Sequence, residues 1–450
     1  MQKIELKKQF RVYAEYKDLG VEWINQIPRG WMLLHLQDFG HFTSSGIDKK
    51  MVEGEPAVLM VNYMDIYSNP THEIRNNREY MMTSCPGSKV KCHSIKKGDL
   101  LFTPSSETED DIGHSAVVVE DFINTVYSYH LLRFRPKKKI LDLKFEKYLC
   151  NNSFVLAQFS KRCKGTTRQI LGREVFKKTE VVVPPVHEQV KIAEYLDAKT
   201  QIINKIIEQK QKLIALLQEK RAAVINKVVT CGLDENVELV DSGVERIGNV
   251  PKGWKVEKLK FVGQAIIGLT YSPEDVTDEV EGTLVLRSSN IQNSAIELND
   301  NVYVKKIIPK SLKTKKGDIL ICSRNGSAAL IGKSAVIDGT GEGVTFGVFM
   351  SIFRSRYWKY MEYFFKSELF FFQLRSSATS TINQLTIDDL KNIIATVPSI
   401  DKQERIAIYL NKKICEIDFC TEKVKKSVKL LQEYKSSLIY NVVTGKVMKV

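Results

Sequence analysis

Proline is scarce, 12 in 450 residues, and glycine contributes only 25. With 43% hydrophobic and 27% charged residues, the composition is that of a chain that buries its own core. Collagen-like, mucin-like and wholly disordered chains are excluded. No run of about 18 apolar residues occurs, so no membrane-spanning helix is expected. Met1 to Tyr16 alternates Lys and Glu with apolar residues and lacks the apolar core of a secretion signal. The eight cysteines (Cys85, Cys92, Cys150, Cys163, Cys231, Cys322, Cys415, Cys420) are dispersed, with no Cys-x-x-Cys pair. That spacing fits no disulfide framework, and a reduced, cytoplasmic protein is expected. Acidic residues are in deficit, 53 against 67 basic, for a net charge of +14. An excess of this size points to a polyanionic partner, nucleic acid before membrane, because no lipidation motif accompanies it.

The chain is long for one compact domain, and its sequence is written twice. Asp18-Leu-Gly-Val-Glu-Trp-Ile-Asn-Gln-Ile-Pro-Arg-Gly-Trp31 returns as Asp241-Ser-Gly-Val-Glu-Arg-Ile-Gly-Asn-Val-Pro-Lys-Gly-Trp254. Lys97-Gly-Asp-Leu-Leu101 returns as Lys316-Gly-Asp-Ile-Leu320, and Ile112-Gly-His-Ser-Ala-Val117 as Ile331-Gly-Lys-Ser-Ala-Val336. Val183-Pro-Pro-Val-His-Glu-Gln189 answers Val397-Pro-Ser-Ile-Asp-Lys-Gln403. Leu216-Leu-Gln-Glu219 answers Leu430-Leu-Gln-Glu433, and Val228-Val-Thr230 answers Val442-Val-Thr444. Blocks in one order, offset by 223 at Trp31/Trp254, 219 at Asp99/Asp318 and 214 at Gln189/Gln403, mark a tandem duplication.

Each copy has two parts. The first is rich in short β-type runs: Ala57 to Val61, Leu100 to Thr103, Ala116 to Val119, Thr283 to Arg287, Asp318 to Cys322 and Ser334 to Ile337. Gly, Asn and Asp separate them, which predicts an irregular, mostly β domain with a few helices. The second part is a long helix. No Gly or Pro interrupts Val186 to Thr230 or Ile400 to Thr444, and each run opens just after proline. One heptad position is apolar at Leu196, Ile203, Leu217 and Val224, broken by Lys210, and in the second copy at Leu410, Ile417, Val424, Leu431 and Leu438. The companion position reads as Ile192, Ile206 and Leu213, with Lys199 and Lys220 breaking it. Rods of this kind bury one face against a partner, and the simplest partner is the other rod. The plainer alternative is two amphipathic helices, each packed on its own domain. The expected layout is therefore an N-terminal segment 1–17, a β-rich domain 18–183, a helix 184–232, a second β-rich domain 233–397 and a second helix 398–450.

Catalytic signatures are missing. Amino-methyltransferases hold their target with Asn/Asp/Ser-Pro-Pro-Tyr/Phe. Here Asn69-Pro70 runs into Thr71, and Pro184-Pro185 lies between Val183 and Val186. Gly332-Lys333-Ser334 resembles the tail of a phosphate loop, but Ser327 stands where its first glycine belongs. Gly339-Thr-Gly-Glu-Gly343 reads as a turn. All seven histidines (35, 41, 72, 93, 114, 130, 187) fall in the first copy and its helix start, and Cys85, Cys92 and His93 match no standard zinc spacing. Asp99 and Asp318 recur, and a Gly-Asp pair entering an apolar strand is a turn more readily than a catalytic carboxylate. The aromatic runs around Tyr357 to Tyr360, Tyr363 to Phe365 and Phe370 to Phe372 read as buried core rather than a stacking surface. The balance favours a binding protein.

At Tyr16 to Trp31, at Gly98-Asp-Leu-Leu-Phe-Thr-Pro-Ser-Ser106 with Ile112-Gly, and at Val183 to Gln189 ahead of a long helix, the chain resembles the specificity subunits of type I restriction–modification systems. The likeness runs over nearly the whole length. Lys402 departs from it, standing where Glu188 stands in the first copy. The resemblance implies an α+β protein of two tandem β-rich target recognition domains and two long conserved helices, packed as an antiparallel coiled coil with pseudo-two-fold symmetry. Each recognition domain would read one half of a split, asymmetric site in double-stranded DNA, and the helices would set the spacer. Two modification (methyltransferase) subunits would dock on helices and recognition domains, and restriction (translocase/nuclease) subunits would complete the complex. S-adenosylmethionine, ATP and Mg would belong to those partners, with no cofactor on this chain, which would catalyse nothing. The alternatives are a stand-alone DNA methyltransferase and a coiled-coil scaffold without sequence-specific binding.

Arg and Lys neutralise phosphates, and Arg, Asn, Gln, Ser and Thr read base edges. On that chemistry the first-copy candidates are Lys164, Thr166, Thr167, Arg168 and Gln169, for which a polar turn is the rival reading. Arg133, Arg135, Lys137 and Lys138 form the densest positive run, with a solvated face as its rival. The second-copy candidates are Arg287, Asn290, Arg324, Asn325, Arg375, Ser380 and Asn383. The acidic stretch Ser105 to Asp111 would repel phosphate and is expected to face solvent or a protein.

Overall fold

Strand-forming runs and two uninterrupted helical runs dictate the architecture. A computed structural model describes residues 10–21, 24–137, 140–244, 247–377 and 384–449. The fold is α+β. The chain divides into two compact units, one of residues 1–209 with 427–450, the other of residues 210–426. The division falls inside each long helix, not at the helix ends where the sequence pattern breaks.

In the first unit the strands Gly40–Thr43, Leu132–Pro136, Leu100–Phe102, Ser115–Val118 and Glu73–Ile74 lie side by side in that order. A second sheet orders Thr125–Tyr127, Ala57–Val61 and Met81–Ser84. In the second unit Gln264–Ile267, Met350–Arg354, Ile319–Cys322 and Ser334–Val336 repeat the first four places of the larger sheet. The duplication seen in the sequence is thus a duplication of topology. The all-apolar strand Leu100–Phe102 is central and fully buried, as its composition requires.

Asp99 and Asp318 are turn residues with a further role. Each is 1% exposed, and its carboxylate accepts the N–H three residues before it, from Lys96 and Lys315, at 2.8 Å. Arg135 and Arg354 then close on them with two hydrogen bonds each, at 2.6 Å and at 2.7 Å.

The long helices span Val186–Cys231 and Ile400–Val443. At each start a buried glutamine reaches back: Gln189 Nε2 donates to Pro184 O and Gln403 Nε2 to Pro398 O, both at 2.8 Å. At each end the chain turns out through a left-handed glycine, Gly232 (φ 78°) and Gly445 (φ 71°). A Cβ on Gly445 would fall 3.0 Å from the Trp31 ring, and one on Gly232 would fall 3.1 Å from Trp254. The repeated Pro-x-Gly-Trp motif therefore seats its tryptophan on the end of a long helix.

Within the first unit Trp31 touches both Glu188, near the start of the first helix, and Gly445, past the end of the second, while Lys435 Nζ donates to Asn204 Oδ1 at 2.9 Å. The two helix segments run antiparallel. Within the second unit Cys231 shares a cavity wall with Lys402 and Ile406, and Arg221 meets Asp418 at 2.9 Å, so its segments are antiparallel as well. Leu196, Ile203, Leu431 and Leu438 pack in the core of the first unit, and Leu217, Val224, Leu410 and Ile417 in that of the second; Val424 is half-buried.

The companion heptad position differs from the sequence reading. Ile192 is buried in the first unit's core as that reading expects, but from there on the companion residues are Thr200, Ile207, Ile214, Arg221 and Val228, four after each apolar position rather than three. Leu213 is 43% exposed. Thr200 is buried and satisfies its hydroxyl on Leu196 O at 2.7 Å, which lets a polar residue occupy the seam. Those polar seam positions hid the true period.

Candidate nucleic-acid interface

In the first unit the segment Lys164 to Ile170 is a tight loop. Lys164 and Ile170 exchange backbone hydrogen bonds at 3.1 and 2.8 Å. Gly165 has φ 143°, and a Cβ there would sit 1.9 Å from Arg168 O, so only glycine fits. Gln169 Nε2 donates to Gly165 O at 2.9 Å, and Gln169–Ile170 pairs with Ser105–Ser106. The base of the loop is fixed. Lys164, Thr166, Thr167 and Arg168 project from it, all exposed, with Gln169 half-buried. Arg168 lies close enough to His130 that its charge adds to the burial and the Lys49 charge holding that imidazole below its usual range. The Tyr129 ring, 48% exposed, lies 3.8 Å from that of His130. Sequence reading missed this aromatic neighbour because Tyr129 and His130 are 39 and 38 residues from Arg168.

The positive run at 133–139 is not what its composition suggested. Arg133 is 2% exposed and donates to Ser94 O at 2.9 Å and Cys92 O at 3.2 Å. Arg135 is locked to Asp99. Both lie on a strand inside the sheet; the buried Arg133 must find acceptors within the domain, and the half-buried Arg135 spends its guanidinium on the buried Asp99. They are corrected from DNA candidates to internal ties. Lys137 is exposed, and Lys138 lies outside the described residues.

In the second unit a cleft of about 920 Å³ gathers Arg287, Arg324 and Asn325. Arg324 is exposed and stands 5.4 Å from the centre of the Phe349 ring. Asn325 Nδ2 donates to Ser288 Oγ at 3.2 Å. Arg287 donates to Asp300 at 2.8 Å, which neutralises part of its charge. Asn290 is corrected: it is fully buried, accepts from Arg287 N at 2.9 Å and donates to Glu297 O at 3.0 Å, so it shapes the turn from within. Phe349, 56% exposed on the cleft wall, was passed over in the sequence, where an isolated Phe beside a strand looks like core. Arg375 is exposed and paired with Glu368. Ser380 and Asn383 lie outside the described residues.

The aromatic runs are largely core: Tyr360 and Phe370 are buried, while Phe372 is 44% exposed. Tyr360 OH donates to Thr396 O at 2.9 Å and reaches Val229 O at 3.2 Å, tying the β-rich part to the first helix's end. The acidic stretch at 105–111 is mostly exposed, and Asp111 contacts the His114 ring at 2.6 Å.

Each unit thus presents its own set of exposed polar and cationic side chains on a fixed base. The family of type I restriction modification DNA specificity domains matches the chain twice, over residues 28–216 and 251–430. The chain belongs to that family.

Each specificity-domain match runs from the Gly-Trp neighbourhood into the following long helix. Curated relatives agree. The specificity subunits of the type I restriction enzymes StySPI from Salmonella potsdam and EcoKI from Escherichia coli (strain K12) are 27% identical over 205 and 206 residues. Those matches cover 44% of this chain and 44% of each relative, so the chain spans less than half the length of these two proteins. The MjaVIII specificity subunit of Methanocaldococcus jannaschii is 22% identical over 453 residues, 94% of both chains. A chain from a structure on complex assembly and conformational transition of the type I R-M system superposes with a TM-score of 0.69 at 15% identity, covering 93% of this chain and 99% of that one. The specificity-domain fold is therefore shared at sequence distances where few side chains are. Among the described residues no helix is long and apolar enough to cross a membrane.

Proposed function

We propose that this chain is the DNA-specificity subunit of a type I restriction–modification complex. Each β-rich domain reads one half of a split target in double-stranded DNA, and the long helices fix the unread spacer. The observation that carries the reading is the double family match, one per unit, with a different exposed polar surface in each: Lys164 to Gln169 in the first, the Arg324–Phe349 cleft in the second. Unlike surfaces on one scaffold suit an asymmetric site. The chain itself is non-catalytic. Two methyltransferase subunits dock on the helices and domains and bring S-adenosylmethionine. Restriction subunits bring ATP and Mg. The complex works in the cytoplasm.

The test is selection from random duplex DNA by the chain co-purified with its methyltransferase partner, followed by sequencing. Two short unequal motifs around a fixed gap are expected. A single compact motif would show that one domain is idle. No enrichment would overturn the reading, and methyl transfer by the purified chain alone would replace it with a stand-alone enzyme.

A further inference from the structure

The two copies differ at one place where the first copy fills a groove and the second leaves it open. Between Arg135 and the helix Leu143–Leu149 the first copy has seven residues, 136 to 142; between Arg354 and the helix Trp358–Phe364 the second has three, 355 to 357. Of the longer segment, Pro136, Lys137 and Ile140 to Asp142 are described, and Ile140 and Asp142 bond to the start of the long helix. Lys137 N–H donates to Phe39 O at 2.7 Å, Gln189 Nε2 donates to Ile140 O at 2.8 Å, and Asp142 N–H donates to Gln189 Oε1 at 2.7 Å. Ile140 and Leu141 pack on the core beside it. Gln189 is thereby fully satisfied.

Gln403 occupies the same place in the second copy, with the same bond back to its proline carbonyl. It is 4% exposed, and its Oε1 has no hydrogen-bond partner among the described residues. It lines a cleft of about 790 Å³. Lys255, Lys260 and Arg356 line the same cleft with one carboxylate, Glu257, which stands 3.8 Å from Lys255 and leaves the lining net positive, together with Phe261 (71% exposed) and Ile400 (54% exposed). A buried acceptor without a donor is an anomaly that a bound group resolves. Here the repeat itself shows what kind of group: an extended backbone with a free N–H and apolar side chains, as in Ile140-Leu-Asp142, whose own carboxylate caps the following helix; the acidic residue is called for by the cations that line the second-copy cleft.

We propose that this cleft is a docking groove for an extended segment of a partner protein, in which an acidic residue adjoins aliphatic ones. Resting on the reading above, the occupant is a segment of the methyltransferase subunit docked at the second copy. Its backbone N–H meets Gln403 Oε1, its aliphatic side chains lie on Phe261 and Ile400, and its carboxylate faces Lys255, Lys260 and Arg356. Two copies of one partner are then held inequivalently, because the first copy has filled its own groove.

The test weighs the intact co-expressed complex by native mass spectrometry. Wild type is compared with Phe261→Glu/Ile400→Glu, with an insertion of Lys-Ile-Leu-Asp between Arg356 and Tyr357, and with Val186→Glu, the first-copy counterpart of the Ile400 change. Wild type and Val186→Glu are expected to carry two methyltransferase subunits. The double variant and the insertion should carry one, with the second binding at least tenfold weaker. A wild-type chain that recruits no partner overturns the specificity-subunit reading and this proposal with it. Two partners on every variant, with unchanged affinity, overturn the groove alone. Should a variant fold poorly, a photo-crosslinking benzoylphenylalanine in place of Phe261 gives an independent readout. An adduct with an acidic–aliphatic partner peptide supports the groove, and an intact complex without one overturns it.

Discussion

Arg354 holds Asp318 through two hydrogen bonds of 2.7 Å, with the carboxylate 1% exposed and the guanidinium at the rim of the sheet. The pair spans the strands Ile319–Cys322 and Met350–Arg354, and the turn at Lys315 hangs from the same carboxylate. Removing one partner strands the other's charge in a poorly solvated place, at a cost of about 3 kcal/mol or more. Arg354→Met is therefore expected to lower the urea midpoint of the second unit and to raise amide exchange along those strands. Asp318→Ala should do the same. Exchange that stays at wild-type levels would show that the pair contributes nothing to the sheet.

The duplication, the strands and the long helices were legible because they rest on local pattern: apolar runs between turn residues, and two runs of 45 residues without Gly or Pro. The arginine ties were not read, although the sequence held a clue. Asp99 to Arg135 and Asp318 to Arg354 are both 36 residues apart, and a charge pair conserved in spacing between two copies signals an internal contact. A basic run in isolation reads the same whether its strand is central or exposed, which is why Arg133 and Arg135 were placed at the surface. The heptad was half legible, since Thr200 and Arg221 occupy seam positions that hydropathy alone rejects. The loop at Lys164 to Gln169 was found from composition. The Arg324–Phe349 contact joins residues 25 apart in sequence, and only folding brings them together.

Glu188 shows what one substitution between copies does. Its Oε2 accepts from Trp31 Nε1 at 3.1 Å and from Tyr13 OH at 2.9 Å, while Tyr13 and Trp31 meet edge to face at 5.4 Å. Burial, with the Glu188 carboxylate next, raises the Tyr13 hydroxyl well above its usual range. In the second copy Lys402 stands in place of the glutamate, and with Trp254 it lines a cavity of about 360 Å³. Glu188→Lys should import that open arrangement into the first unit. Losing two hydrogen bonds to a charged acceptor costs roughly 3 kcal/mol. Tryptophan fluorescence during urea titration should show the loss, and an unchanged midpoint would show that the three side chains are not coupled.

Two buried groups set opposing pH limits on the first unit. Burial pushes the Glu146 carboxyl up to about 8 from 4.5, with Asp142 and Asp99 adding to it. Burial, then the Lys435 charge, pushes His72 down to about 4 from 6.5. Between pH 4.5 and 8 the folded chain binds more protons at Glu146 than the unfolded chain, so this contribution is whole below 4.5 and is lost as pH rises. At His72 the folded chain binds fewer, so its contribution is whole above 6.5 and is lost as pH falls towards 4. Glu146→Gln should therefore raise the melting temperature by several degrees near pH 8.5 and change it little near pH 5. A shift of equal size at both pH values would mean that Glu146 acts through packing rather than its proton.

Base reading and phosphate contact separate by their salt and sequence dependence. Arg168 is exposed on a loop whose base is pinned by Gly165, and Arg324 is exposed over Phe349 in the other unit. If each reads a base edge, its removal relaxes one half of the target and leaves the other half intact, at about 1–3 kcal/mol per lost contact. Arg168→Ala and Arg324→Ala should then produce complementary losses in the selected motif. Lys137, exposed at the end of the strand Leu132–Pro136, has only a point charge to offer. Lys137→Ala should weaken all sequences alike and reduce the slope of log affinity against log salt by about one. Because Arg133 and Arg135 are tied inside the domain, replacing them should destabilise the fold without changing that slope. A salt slope that falls for Arg135→Ala in a chain of unchanged melting temperature would return that arginine to the DNA surface.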